Sequence, residues 1–167
     1  MSPSRKKVIV RKWGGEIVAG YLPPVDFLEG DVVGLLGLDG NVTSVPVGDI
    51  KWICFVRDFT SGDQGQPERL LQKTFRRRPR NPGLWVRARL KDNDSLDGLA
   101  QNDLSLLDNN GLLLIPPDTR SNTQRIFLPR QAIAQVEILA VVRVGTPGNP
   151  GRTLPQTLQG SLFKGEA

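Results

Sequence analysis

This chain carries the same short pattern twice. Val8-Ile9-Val10-Arg11 leads through a turn to Ile17-Val18-Ala19-Gly20, and Val86-Arg87-Ala88-Arg89 leads through a turn to Leu96-Asp97-Gly98. Further on, Val45-Pro46 followed by Ile50, Ile53 and Phe55 returns as Leu128-Pro129 followed by Ile133, Val136 and Ile138. The offset grows between the two matches, so the second copy carries an insertion of about five residues. A repeated unit this small would be marginal alone, and the two copies are expected to pack together.

The repeated segments read as strands. Lys7 to Lys12 and Glu16 to Leu22 flank the turn Gly14-Gly15, and Val32 to Leu38 and Val42 to Val47 flank Asp39-Gly40-Asn41. Apolar residues separated by such turns predict β-hairpins. Lys51 to Arg57 supplies a fifth strand rich in β-branched and aromatic residues. The second copy offers Trp85 to Leu90, Ser95 to Asn102, Gly111 to Ile115, Arg125 to Pro129 and Ala134 to Val142.

The expected fold is therefore all-β: two tandem SH3/Sm-like small β-barrels with one short linker helix. Residues 1–6 would be a disordered arm, 7–59 the first small barrel, 60–83 a linker, 84–143 the second barrel and 144–167 a disordered tail. Pro67-Glu68 suits a helix N-terminus, and Leu70, Leu71 and Phe75 would share one face of the helix that follows.

Composition narrows the chemistry. Lys and Arg number 22 against 17 Asp and Glu, a net charge of +5, with the excess concentrated at Arg5-Lys6-Lys7 and at Arg76-Arg77-Arg78-Pro79-Arg80. Clustered cations favour an anionic partner. The 167 residues contain no histidine, which excludes histidine-dependent catalysis and removes the commonest zinc ligand. The single cysteine, Cys54, lies in Trp52-Ile53-Cys54-Phe55-Val56 and is expected to be a small core residue. The apolar runs fall short of the ~18 residues of a membrane span, so no membrane insertion and a cytoplasmic location are expected.

Gly20-x-Leu22-x-x-Val25-Asp26-x-Leu28, with Gly48-Asp49-Ile50 further on, resembles the Sm-like family of small barrels over about 50 residues. That resemblance implies a barrel and single-stranded RNA binding. Asp26 carries over, while Gly30 stands where the pattern has Asn and Val47 where it has Arg. Arg76-x-x-x-Arg80 followed by Asp103-x-Ser105 resembles PilZ domains, and implies a cyclic di-GMP receptor in which arginines clamp phosphates while Asp103 and Ser105 read a base edge. Asp108 occupies the position of that motif's closing glycine. Pro117 to Phe127, together with Val56-Arg57-Asp58-Phe59, is similar to a group of functionally uncharacterised bacterial domains with the same doubled layout, over roughly residues 7–142. That likeness supports the repeat and a bacterial origin and implies no activity.

The insertion in the second copy, Pro116 to Gln124, is a long polar loop, and loops on rigid scaffolds often carry binding residues. Arg120, Asn122, Gln124, Arg125 and Arg130 could contact phosphates there, with Phe127 or Trp85 as a stacking face. Trp52, Phe55, Trp85 and Phe127 are assigned to packing first. Asp92, Asp94 and Asp97 cluster in sequence, but Lys91-Asp92-Asn93-Asp94 is a hairpin turn without the glycine and closing glutamate of a calcium loop.

The expected protein is a non-enzymatic adaptor or regulatory binding module with no catalytic residues, metal or cofactor. Its expected partner is a protein or an anionic ligand, a cyclic dinucleotide or RNA among them. The candidate ligand-binding residues are Arg76, Arg77, Arg80, Asp103, Ser105, Arg120, Asn122 and Arg125.

Overall fold

The computed structural model describes residues 4–24, 26–59, 70–71, 73–118 and 120–143. Its strands are β1 (Lys6–Lys12), β2 (Ile17–Leu22), β3 (Leu28–Glu29), β4 (Val32–Gly37), β5 (Val42–Pro46), β6 (Ile50–Val56), β7 (Gly83–Leu90), β8 (Ser95–Ala100), β9 (Gly111–Leu114), β10 (Thr123–Pro129) and β11 (Ile133–Val142). Short 3-10 turns occupy Val47–Asp49, Leu104–Leu107 and Arg130–Ala132. The protein is all-β, and the described strands follow the sequence expectations closely.

The repeat is reproduced residue for residue in the pairing. Val8 on β1 lies opposite Gly20 on β2 and Phe55 on β6, and its counterpart Val86 on β7 lies opposite Gly98 on β8 and Ile138 on β11. Loop bonds repeat too: Trp13 N–H donates to Asp49 O at 3.0 Å, and Lys91 N–H to Ala132 O at 3.1 Å. Val47 N–H donates to Asp31 O at 2.8 Å, and Arg130 N–H to Asn110 O at 3.1 Å. Equivalent strands are thus β1 and β7, β2 and β8, β4 and β9, β5 and β10, β6 and β11.

Where the sequence predicts two tandem barrels, the structure has two open sheets, the larger shared between the copies and the smaller formed by the second copy alone. The larger runs β3-β4-β2-β1-β6-β10-β9 with β5 on the other side of β4, and the smaller runs β11-β7-β8. β8 is tied to β9 where Leu99 and Ile115 exchange backbone hydrogen bonds, both 2.9 Å. The junction between copies is the antiparallel pair β6 and β10, with Cys54 opposite Ile126 and Ile53 opposite Phe127. The physical reason is legible in β6, an apolar run buried along almost its whole length. A strand buried in this way needs a hydrogen-bonding neighbour on each side, because its backbone groups have no access to water.

Packing follows the same sharing. One core cluster is built mainly from the second copy, including Val86, Leu90, Leu114 and Leu128, but takes in Trp52, Cys54 and Val56 from β6. The other is built from the first copy, including Val8, Leu22, Leu35 and Ile53, and takes in Phe127 from β10. Each copy therefore lends apolar surface to the other.

The linker helix predicted after Pro67 falls largely outside the described residues; Lys73, Thr74 and Phe75, which are described, adopt no regular secondary structure. The tail 144–167 and residues 1–3 of the N-terminal arm also lie outside them, and β1 begins at Lys6. Among the described residues, no helix is long and apolar enough to cross a membrane.

Candidate anion-binding cleft

The segment that leads into β7 and the loop between β9 and β10 meet across a cleft of about 1130 Å³. Arg76, Arg77, Arg78 and Arg80 line one side, Pro116, Pro117, Asp118 and Arg120 the other, with Leu99 and Ile115 between them. Both walls are held by named contacts. Leu99 and Ile115 sit at the reciprocal bond that joins β8 to β9, so the apolar residues of the floor are fixed to the sheets. Pro79 and Pro82 keep the arginine segment out of regular structure. Phe75 anchors it by packing edge-on against Trp85, with ring centroids 5.1 Å apart.

The two walls are also joined by charge. Lys73 Nζ lies 3.0 Å from Asp118 Oδ2, and the lysine hydrogen bond holds the Asp118 carboxyl below the usual carboxylate range. Asp118 also accepts from the N–H of Arg120 at 3.0 Å, an Asx turn that shapes the loop. Among the described residues, Asp118 is the one carboxylate lining the cleft, and it is already engaged. Among the described residues, no carboxylate pairs with Arg76, Arg77, Arg80 or Arg120. Arg78 is turned partly away, donating to Val141 O at 3.3 Å. What remains is a set of exposed guanidinium groups over an apolar floor.

The other candidate residues are divided. Ser105 and Arg125 line a second cavity of about 610 Å³ formed across the two copies, together with Lys6, Asp26 and Asp108. That cavity mixes cations with carboxylates and is a poorer anion site. Asp103 caps the turn Leu104–Leu107 by accepting from Ser105 N–H at 2.9 Å, and hydrogen bonding from the Ser105 side chain, with that backbone bond second, lowers its pKa. Of the four residues suggested by the PilZ resemblance, Arg76 and Arg80 thus line the first cleft, Ser105 lines the second, and Asp103 lines neither.

Asn122 is a clasp between the copies. Its Nδ2 donates to Asp58 O at 2.7 Å, its Oδ1 accepts from Asp58 N–H at 2.9 Å, and its carbonyl accepts from Arg57 N–H at 3.0 Å. Its amide ties the end of β6 to the start of β10.

The clustered aspartates are also engaged. Lys51 Nζ sits 2.5 Å from both Asp92 Oδ2 and Asp94 Oδ2, while Arg87 Nε donates to Asp97 Oδ1 at 2.7 Å. Burial depresses the Lys51 ammonium, but its hydrogen bonds to Asp92 and Asp94 outweigh that and leave its pKa raised. Trp13 and Trp52 add their ring faces around the ammonium, at 5.7 and 4.9 Å.

Sequence reasoning singled out the arginine segment and the long loop separately and did not see that they face each other. It also passed over Lys73 and Asp118, the ion pair that joins them. The available signal was the Leu99 and Ile115 match to Tyr21 and Leu36 of the first copy, which places the loop beside β8.

The fold and cleft define a duplicated all-β protein with a basic cleft. Over residues 4–140 the chain matches the family of unknown function DUF6982, and it belongs to that family. No curated protein and no solved structure matches it.

Proposed function

We propose that this protein is a non-enzymatic binding module whose cleft between Arg76–Arg80 and Arg120 receives an anionic, phosphate-bearing ligand or segment of a partner. The observation that carries this reading is the convergence of guanidinium groups from two distant segments on one cleft, with the carboxylate of Asp118 engaged by Lys73. Guanidinium groups offer planar, forked donors matched to phosphate oxygens. An apolar floor beneath them suits a ligand with a flat apolar part as well as a charge. We also infer that each copy is a variant of the small SH3/Sm-like barrel; the matching order β6-β1-β2-β4-β5 and β11-β7-β8-β9-β10 supports this. A bacterial cytoplasmic setting belongs to the same proposal, and the buried lone cysteine is consistent with it.

Calorimetric titration tests the site, with cyclic di-GMP, tripolyphosphate and a short single-stranded RNA as probes. Binding by at least one of them, weakened tenfold or more in the Arg76→Ala/Arg80→Ala variant, is the expected result. Heat from cyclic di-GMP alone would identify a cyclic dinucleotide receptor, and RNA binding that falls steeply with salt would identify a nucleic-acid module. Binding of these probes that is indifferent to the double substitution would overturn the assignment of the site.

A further inference from the structure

The two copies are joined by an interface that the chain is equipped to make again. In the junction, β10 of the second copy pairs with β6 of the first. The equivalent of β10 in the first copy is β5, and the equivalent of β6 in the second copy is β11. Among the described residues, both have an outer edge with no strand beside it: β5 pairs only with β4, and β11 only with β7. The connected strands thus run from β5 at one end to β11 at the other, and the two ends are the two halves of the junction.

Burial shows what the missing neighbour does. In β6, Ile53 is wholly buried and Cys54 nearly so, whereas their equivalents Val136 and Glu137 in β11 are exposed. In β10, Ile126 and Phe127 are buried, whereas Thr43 and Ser44 in β5 are exposed. β11 nevertheless keeps apolar side chains along this edge, with Val136 42% and Ile138 57% exposed, and β5 presents Val42 at 74%. An exposed edge with apolar side chains is a template for another strand.

We propose that β5 of one copy of this protein pairs antiparallel with β11 of a second copy, repeating the internal β6 and β10 junction head to tail. The matched positions fix the register. Arg125 opposite Phe55 becomes Val42 opposite Ile138, Ile126 opposite Cys54 becomes Thr43 opposite Glu137, and Phe127 opposite Ile53 becomes Ser44 opposite Val136. Val42 and Ile138, both exposed in the single chain, cover each other. The occupant is a second copy because each edge finds its complement at the opposite end of the same chain. Such a heterologous contact closes into a ring or extends as a filament according to the rotation between copies.

The test is molar mass by light scattering on the full chain and on the Val42→Lys and Ile138→Lys variants. Both substitutions are at exposed positions, and circular dichroism checks that the variants are folded; Val136→Lys is the second variant for β11. The wild type is expected to be oligomeric and each variant monomeric. A mixture of Val42→Lys with Ile138→Lys should give a one-to-one dimer, since the first retains an intact β11 and the second an intact β5. A monomeric wild type overturns the proposal. So does an oligomer that survives Val42→Lys while Ile138→Lys abolishes it, which would mean a symmetric contact of β11 with itself. Survival of the oligomer in both variants overturns it equally.

Discussion

Ile53 lies directly opposite Phe127, and both are buried. This pairing makes the two copies one folding unit, because a residue of the second copy completes the core of the first. Phe127→Ala should therefore destabilise the whole chain, by about 3–5 kcal/mol for a buried aromatic truncation. Urea unfolding followed by fluorescence and by circular dichroism should give coincident single transitions in the wild type. Separate transitions for the two halves would contradict the shared core.

Gly20 and Gly98, equivalent in the repeat, are both places where the neighbouring strand comes too close for a side chain. A Cβ at Gly20 would meet Leu36 O at 2.6 Å and Leu35 Cγ at 2.8 Å, and one at Gly98 would meet Leu114 Cβ at 2.8 Å. Gly20→Ala and Gly98→Ala should each cost about 1–3 kcal/mol through overpacking. Gly34→Ala is the control, since nothing lies within 4 Å of its Cβ position. Equal urea midpoints for all three would refute the close-approach account.

The strand plan was legible because turn residues and alternating apolar positions are local signals, and the repeat doubled each of them. The glycines too were marked by recurrence alone. What local pattern does not carry is which strand lies beside which when they are far apart in sequence. β6 held the clue, since Trp52-Ile53-Cys54-Phe55-Val56 lacks a polar face and so called for neighbours on both sides. The arginines of the lead-in were conspicuous, but their partner wall was not. Asn122 looked like a ligand residue because it sits in a polar loop, while its amide satisfies the backbone of Asp58.

The ion pair between the copies gives a pH dependence with a defined sign. Burial pushes the Asp92 carboxyl up, but hydrogen bonds from Lys51 and from Asp94 N–H outweigh it, and the pKa is lowered. A carboxylate lowered on folding contributes stability above its unfolded value near ~3.9 and loses it as pH falls through the folded value. Lys51, raised on folding, contributes below ~10.4 and loses it as pH rises through its folded value. The groups are partly exposed, so Asp92→Asn should cost only about 0.5–1 kcal/mol at neutral pH. It should also flatten the acid limb of a stability profile, and an unchanged limb would exclude the pair as its source.

Cys54 is inert in the folded chain. Burial pushes its thiol up to about 12, well above the usual range, with a weaker opposing hydrogen bond from Thr123. Because the thiolate is the reactive form, a thiol reagent at neutral pH should label Cys54 only after denaturant is added. Rapid labelling of the native protein would contradict the burial of β6 between β1 and β10.

The claim that the cleft is one site, built from two walls, is tested most directly by a double-mutant cycle of Arg80→Ala and Arg120→Ala. The readout is calorimetric affinity for the probe that the wild type binds best. If a single anion spans both walls, the two substitutions should be strongly non-additive, with a coupling of about 1 kcal/mol or more. Additive effects, or an Arg120→Ala variant with unchanged affinity while Arg80→Ala loses it, would contradict a shared cleft and leave the basic segment as an independent charged surface.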